Sequence, residues 1–110
     1  ESDLIVTLSN DTWFGKSIGP HQHLQIARMR ALESGRYIVR ATNNGISAII
    51  NAKGDIVSTK PQFEEALLSG EVFPMQGKTP ASILGIRGSI VLCVFILICL
   101  FSREFFLKKV

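Results

Sequence analysis

Cysteine is nearly missing from this sequence: Cys93 and Cys99 are the only two, and both lie inside one uncharged run. A thiol embedded in hydrocarbon is a poor nucleophile and a poor zinc ligand, and two such residues give the remainder of the chain no disulfide framework. Histidine is equally scarce. His21 and His23 are two positions apart and on a helix point about 200° apart, so they cannot share a metal as an i, i+4 pair does. There is one tryptophan and one tyrosine, and the twelve Lys and Arg residues are scattered, with no stripe interleaved with aromatics. The net charge of +3 therefore does not signal a nucleic-acid partner. No Gly-x-Ser-x-Gly elbow presents Ser9, "GKSIG" lacks the spacing of a P-loop, and no repeat or low-complexity tract is visible. The sequence has no initiating methionine and opens with Glu1 and Ser2 directly before "DLIVTL", which is the pattern expected of the C-terminal part of a longer protein.

What the sequence does have is an apolar segment out of keeping with the rest. From Ile83 to Phe101 nineteen residues contain one charge, Arg87. At about 1.5 Å per residue a helix of that length nearly crosses a hydrocarbon core of about 30 Å. A transmembrane helix over residues 83–102 is the expectation, preceded by a linker at 77–82 and followed by a tail at 103–110. Arg87 sits within one turn of the start, where its side chain can snorkel to the headgroups. A buried core helix is the competing reading, and the lack of any polar face argues against it. Arg103, Lys108 and Lys109 crowd one end against Lys78 and Arg87 at the other, so the positive-inside bias places the C-terminus in the cytoplasm and residues 1–80 on the other side.

Before that segment, a length of 110 residues leaves room for one folded domain. "DLIVTLS" (3–9) is short, apolar and β-branched, as a strand buried on both faces would be. Pro20 then opens a helix through "HQHLQIARMRALES", which Gly35 closes, with Leu24, Ala27, Ala31 and Leu32 on its apolar face and Arg28 pairing with Glu33 or solvent. Strands follow at 36–42, 46–51 and 56–60, separated by "NNG" and "AKGD" turns, and "ALLSGEVF" (66–73) reads as an added edge strand. Strand, helix, strand and hairpins make a layered α/β sheet.

Between the first strand and the helix lies "SNDTWFGKSIGPHQH" (9–23), too broken for either element. Ser9, Asp11 and His21 supply the residue types of a Ser-His-Asp triad, but they crowd one loop where convergence is difficult. Glu33 in the last helical turn opposes the helix dipole, so a partner is expected, best a hydrogen bond to the neighbouring strand.

The run "ARMRALESGRYIVRATNNGISAIINAKGDIVS" (27–58) resembles the nitrilase-like carbon–nitrogen hydrolase superfamily, with Arg30, Ala31, Glu33, Asn43 or Asn44, Gly45 and Gly54 at the positions that carry the likeness. Together with the 9–23 loop, "PQF", "GKTP" and the closing apolar helix, the chain resembles the C-terminal part of the apolipoprotein N-acyltransferase family over residues 1–102. The resemblance implies the C-terminal part of an αββα sandwich domain at 1–76, followed by one transmembrane helix. It further implies a bacterial inner-membrane enzyme whose domain faces the periplasm. Such an enzyme moves an acyl chain from a phospholipid donor to the N-terminal cysteine of a diacylglyceryl apolipoprotein acceptor.

In that family the reaction passes through a cysteine thioester, with Glu as general base and Lys stabilising the oxyanion, in keeping with the needs of covalent acyl transfer. The resemblance implies no metal, no cofactor and a monomer. The family's Glu, Lys and Cys match no position here, so no catalytic residue is assigned and the chain alone is expected to be inactive. The loop after the first strand lies where α/β sheets place ligand sites. Asn10, Asp11, Trp13 and Phe14 are accordingly expected to line or lid the acyl pocket, Asn10 by hydrogen bonding and the two rings by apolar contact, against the plainer alternative that the rings pack the domain. Two other functions stay open: a membrane-tethered amidase or nitrilase, and a catalytically dead, membrane-anchored binding module.

Overall fold

The computed structural model describes residues 2–110. It divides into two compact units, one up to Thr79 and one from Pro80 to Val110.

In the first unit β1 (Leu4–Asn10) leads through a single 3₁₀ turn (Thr12–Phe14) to α1 (Gly19–Ser34), then to β2 (Tyr37–Asn43), β3 (Ala48–Ile50) and β4 (Ile56–Thr59). The sheet has the order β1-β2-β3-β4, with β1 parallel to β2 and the remaining pairs antiparallel. The parallel pair follows from the helical crossover, and the antiparallel pairs from turns too short for anything else. α1 begins with Pro20 in its first turn, where a missing N–H costs nothing. It ends at Gly35 in the left-handed conformation (φ 62°), with Arg36 N–H bonded to Ala31 O at 3.2 Å and Gly35 N–H to Leu32 O at 3.3 Å. That pair of bonds is a Schellman cap, which only a residue tolerant of positive φ closes cheaply.

Pro20, Leu24, Ala27 and Ala31 are buried along one stripe of α1, while Leu32, expected on that face, is half exposed. The stripe meets Ile38, Ala48 and Ile50 of the sheet, with Ile46 and Ile5 completing the core. Register puts Ile5, Thr7 and Ser9 of β1 beside Ile38, Arg40 and Thr42 of β2 on this helix-covered face. Small alanines let the helix approach closely, and Arg28 Nε donates to Gly54 O at 2.7 Å to tie α1 to the β3–β4 turn. Arg28 thus bonds the turn rather than Glu33. Glu33 pairs on the helix surface with Arg30 at 3.1 Å and not with the neighbouring strand.

The opposite face is only partly covered. Residues 66–73 form no strand. They lie against the sheet, where Gly70 approaches Ile49 closely and Phe73 meets Tyr37 edge to face at 5.9 Å. Those side-chain contacts take the place of the ladder expected at the edge. Val6 and Leu8 stay open at 64% and 81% exposure, so β1 is not buried on both faces within this chain.

The second unit is α2 (Pro80–Lys108). It takes in residues 80–82 ahead of the expected membrane segment because Pro80 suits a helix start. Gly85, at φ 54° and ψ −172°, interrupts the helical geometry. Among the described residues α2 is the one helix long and apolar enough to cross a membrane, and none of its residues is buried.

Candidate functional site

β1 and β2 run parallel and in register to their ends, so Asn10 and Asn43 finish side by side at the C-terminal edge of the sheet. Three short segments meet there: the 3₁₀ turn after β1, the start of α1, and the Asn44-Gly45 turn after β2.

Asn10 is exposed, and its Oδ1 accepts from Thr12 N–H at 3.1 Å and from Thr12 Oγ1 at 2.5 Å, folding the chain back on itself. Phe14 N–H and Gly15 N–H close the turn onto Asp11 O (3.0 Å) and Thr12 O (3.2 Å). The Phe14 ring lies against Gly19 and meets His23 edge to face, centroids 6.4 Å apart. Trp13 projects away from these contacts and is 89% exposed. Of the four residues expected at a ligand pocket, Asn10 therefore shapes the turn, Asp11 is buried beneath it, Phe14 is held against α1, and Trp13 is the ring left open.

Directly beneath the turn is a buried polar cluster centred on Asp11, which is 1% exposed. Its Oδ2 accepts from Arg40 Nη2 at 2.9 Å, and its Oδ1 accepts from His23 Nδ1 at 2.9 Å and from Ser9 Oγ at 3.1 Å. An ionised carboxylate has only acceptors, so the His23 tautomer here is the one protonated at Nδ1. Asp11 N–H donates to Asn43 O at 3.0 Å. Gly45 packs so closely that a Cβ there would stand 2.4 Å from Asp11 Oδ2. Arg40 Nε and Thr7 Oγ1, both buried and in register across β1 and β2, have no hydrogen-bond partner among the described residues.

The Ser9, Asp11 and His21 grouping is thus met in part. Ser9 and Asp11 do come together, but the histidine that joins them is His23, and His21 stays exposed. Ser9 donates to the carboxylate rather than to an imidazole, so the serine–histidine contact that activates a nucleophile is missing. The arrangement orders a loop; it does not make a hydroxyl reactive. Sequence reasoning missed Arg40 and His23. The available signal was a charged residue two positions after Ile38, in phase with the buried side of β2, which demands a counter-charge.

Beside the cluster a polar groove of about 490 Å³ is lined by residues including Thr42, Asn44, Ser47, Lys60, Glu64 and Glu65. Gln62 Nε2 donates to Asn44 O at 3.1 Å.

Comparison with known proteins agrees with the fold. The chain is 65% identical over 79 residues to an apolipoprotein N-acyltransferase of Pseudomonas putida, covering 72% of this chain and 16% of the relative. It is 61% identical over 80 residues to the protein of that name from Pseudomonas aeruginosa, covering 73% of this chain and 16% of the relative. It is 55% identical over 85 residues to that of Haemophilus influenzae, covering 77% of this chain. The chain spans about 16% of the length of these curated relatives. The family described as carbon-nitrogen hydrolase matches residues 1–76, the whole of the sheet and α1 among them, and the chain belongs to that family.

Proposed function

We propose that this chain is part of an apolipoprotein N-acyltransferase, and that the loop Asn10–Phe14 borders the pocket for the transferred acyl chain. The enzyme moves an acyl group from a phospholipid to the α-amino group of the N-terminal cysteine of a diacylglyceryl lipoprotein. A thiolate attacks the phospholipid ester, the lysophospholipid leaves, and the amine then displaces the thiol from the thioester. Residues 1–76 contribute the nitrilase-like domain on the periplasmic side of the inner membrane and residues 77–82 the link. Residues 83–102 supply the membrane crossing and residues 103–110 a cytoplasmic tail, and the enzyme works as a monomer.

The likeness to proteins of that name at 55–65% identity carries this reading. Trp13 supports its finer part: an open aromatic ring three residues past the end of β1 offers apolar surface where α/β sheets bind ligands. The two cysteines of this chain are both on α2, so the thioester forms on neither, and the chain alone transfers no acyl group.

The test uses the full-length protein that contains this chain, incubated with phospholipid and a diacylglyceryl lipopeptide. Mass spectrometry of the enzyme should show an added acyl mass that hydroxylamine removes, and Trp13→Ala should lower kcat/KM roughly tenfold, about 1.4 kcal/mol. No acyl-enzyme, with release of ammonia from a soluble amide instead, would identify an amidase and overturn the reading.

A further inference from the structure

We propose that Asp11 is the positioning residue of the site: through Arg40, His23 and its own main chain it fixes the turn that carries Trp13. The inference rests on the acyl-pocket reading of Trp13 for its effect on catalysis, and on geometry alone for its effect on the loop.

Trp13 has nothing of its own to hold it, since it is 89% exposed. Its direction is set by its two neighbours, and both lead back to Asp11. On one side, Thr12 is placed by the Asn10 side chain and by Asn44 Nδ2, which donates to Thr12 Oγ1 at 3.2 Å. The Asn44-Gly45 turn that supplies this donor packs directly on the Asp11 carboxylate through Gly45. On the other side, Phe14 N–H bonds to Asp11 O at 3.0 Å, and the Phe14 ring lies against His23, whose Nδ1 is held by Asp11 Oδ1 at 2.9 Å. A single buried carboxylate therefore touches β1, β2, the β2–β3 turn and α1.

A buried carboxylate is an expensive way to hold a loop unless both its oxygens are hydrogen-bonded and the charge is compensated. Both conditions hold here, with Arg40 supplying the charge and Ser9 and His23 the remaining donors. Among the other contacts of residues 12–18, Gln62 Nε2 to Gly15 O is long at 3.4 Å and only part-buried, and Gly19 N–H to Ser17 Oγ at 3.2 Å is local and exposed. Loss of the Asp11 charge should therefore loosen this turn before it loosens the core of α1.

The experiment uses the full-length protein with Asp11→Asn, Trp13→Ala and the double variant, read by acyl-transfer kinetics and by hydrogen exchange. Asp11→Asn keeps the shape and removes the charge. It should speed exchange at residues 12–18, leave residues 24–31 protected, and lower kcat/KM by up to about tenfold. Because Asp11 acts through Trp13, the double variant should be within about twofold of the worse single variant, where independent effects would multiply. His23→Asn, which keeps a donor near the Nδ1 position, should restore most of what His23→Ala loses, and this milder pair decides the matter if Asp11→Asn fails to fold.

Unchanged exchange at 12–18 in Asp11→Asn overturns the proposal. So does equal loosening of 24–31, and so does a multiplicative double variant when Trp13→Ala itself lowers transfer. If Trp13→Ala leaves transfer intact while Asp11→Asn still frees the loop alone, the acyl-pocket reading fails and the positioning role of Asp11 stands.

Discussion

Asp11 Oδ2 and Arg40 Nη2 lie 2.9 Å apart, 29 residues from each other in sequence, with the two side chains 1% and 3% exposed. Removing one member of such a pair leaves the other as an uncompensated buried charge, at a cost of about 3–5 kcal/mol. Arg40→Met is expected to lower the stability of the purified full-length protein by that order, measured as a shift in the unfolding transition of the carbon-nitrogen hydrolase domain. Adding Asp11→Leu to Arg40→Met should recover part of the loss. A single Arg40→Met variant that unfolds like the parent would show the pair to be energetically idle.

Gly45 tests the same cluster from the other side. An alanine Cβ would stand 2.8 Å from both Cβ and Cγ of Asp11, closer than real contacts allow, so the side chain must shift or the turn must open. Gly45→Ala should cost about 1–3 kcal/mol, the usual penalty of overpacking a filled site. Unfolding midpoints within experimental error of each other would mean that the turn yields freely.

Trp13 offers the reverse expectation. A side chain with 89% of its surface in solvent contributes little to folding, so Trp13→Ala should change stability by no more than about 0.5 kcal/mol. The measurement is thermal unfolding beside the kinetics already described. A loss of stability of several kcal/mol would place the ring inside the fold of the full-length protein rather than at a ligand.

For α2, Leu92 lies at the middle of the stretch from Ile83 to Phe101. An arginine at the centre of a membrane-crossing helix costs about 2.5–3.5 kcal/mol on insertion scales. Leu92→Arg should therefore shift a glycosylation-reporter insertion assay of residues 77–110 from mostly inserted to mostly not. Equal insertion of both versions would argue that the helix does not cross the bilayer.

Much of the fold was legible because its signals are local. Pro20 and Gly35 bracket α1, Leu24, Ala27 and Ala31 repeat at helical spacing, and "NNG" and "AKGD" separate the strands. The segment 66–73 reads as a strand by composition, yet its residues are taken up by Tyr37 and Ile49 on the face of the sheet, which no window of sequence contains. The site was legible only in its position. That the loop follows β1 at the C-terminal edge is topology, but that Asp11 gathers Arg40 and His23 depends on register between β1 and β2 and on how α1 lies over them. The tryptophan, phenylalanine and histidines look alike in importance in the sequence. The structure separates them into an open ring, a held ring, a held imidazole and an exposed one.

The uncovered side of β1 has a practical consequence for handling this chain. Val6 and Leu8 face solvent, and β1 is an outermost strand of the sheet, so a row of apolar side chains adjoins backbone groups ready to receive another strand. Two unrelated sources of colloidal instability are thereby combined in 110 residues, the greasy α2 and a strand-templating edge. Detergent micelles cover the first and leave the second free, so a detergent-solubilised preparation of the chain alone should still precipitate with a steep dependence on protein concentration.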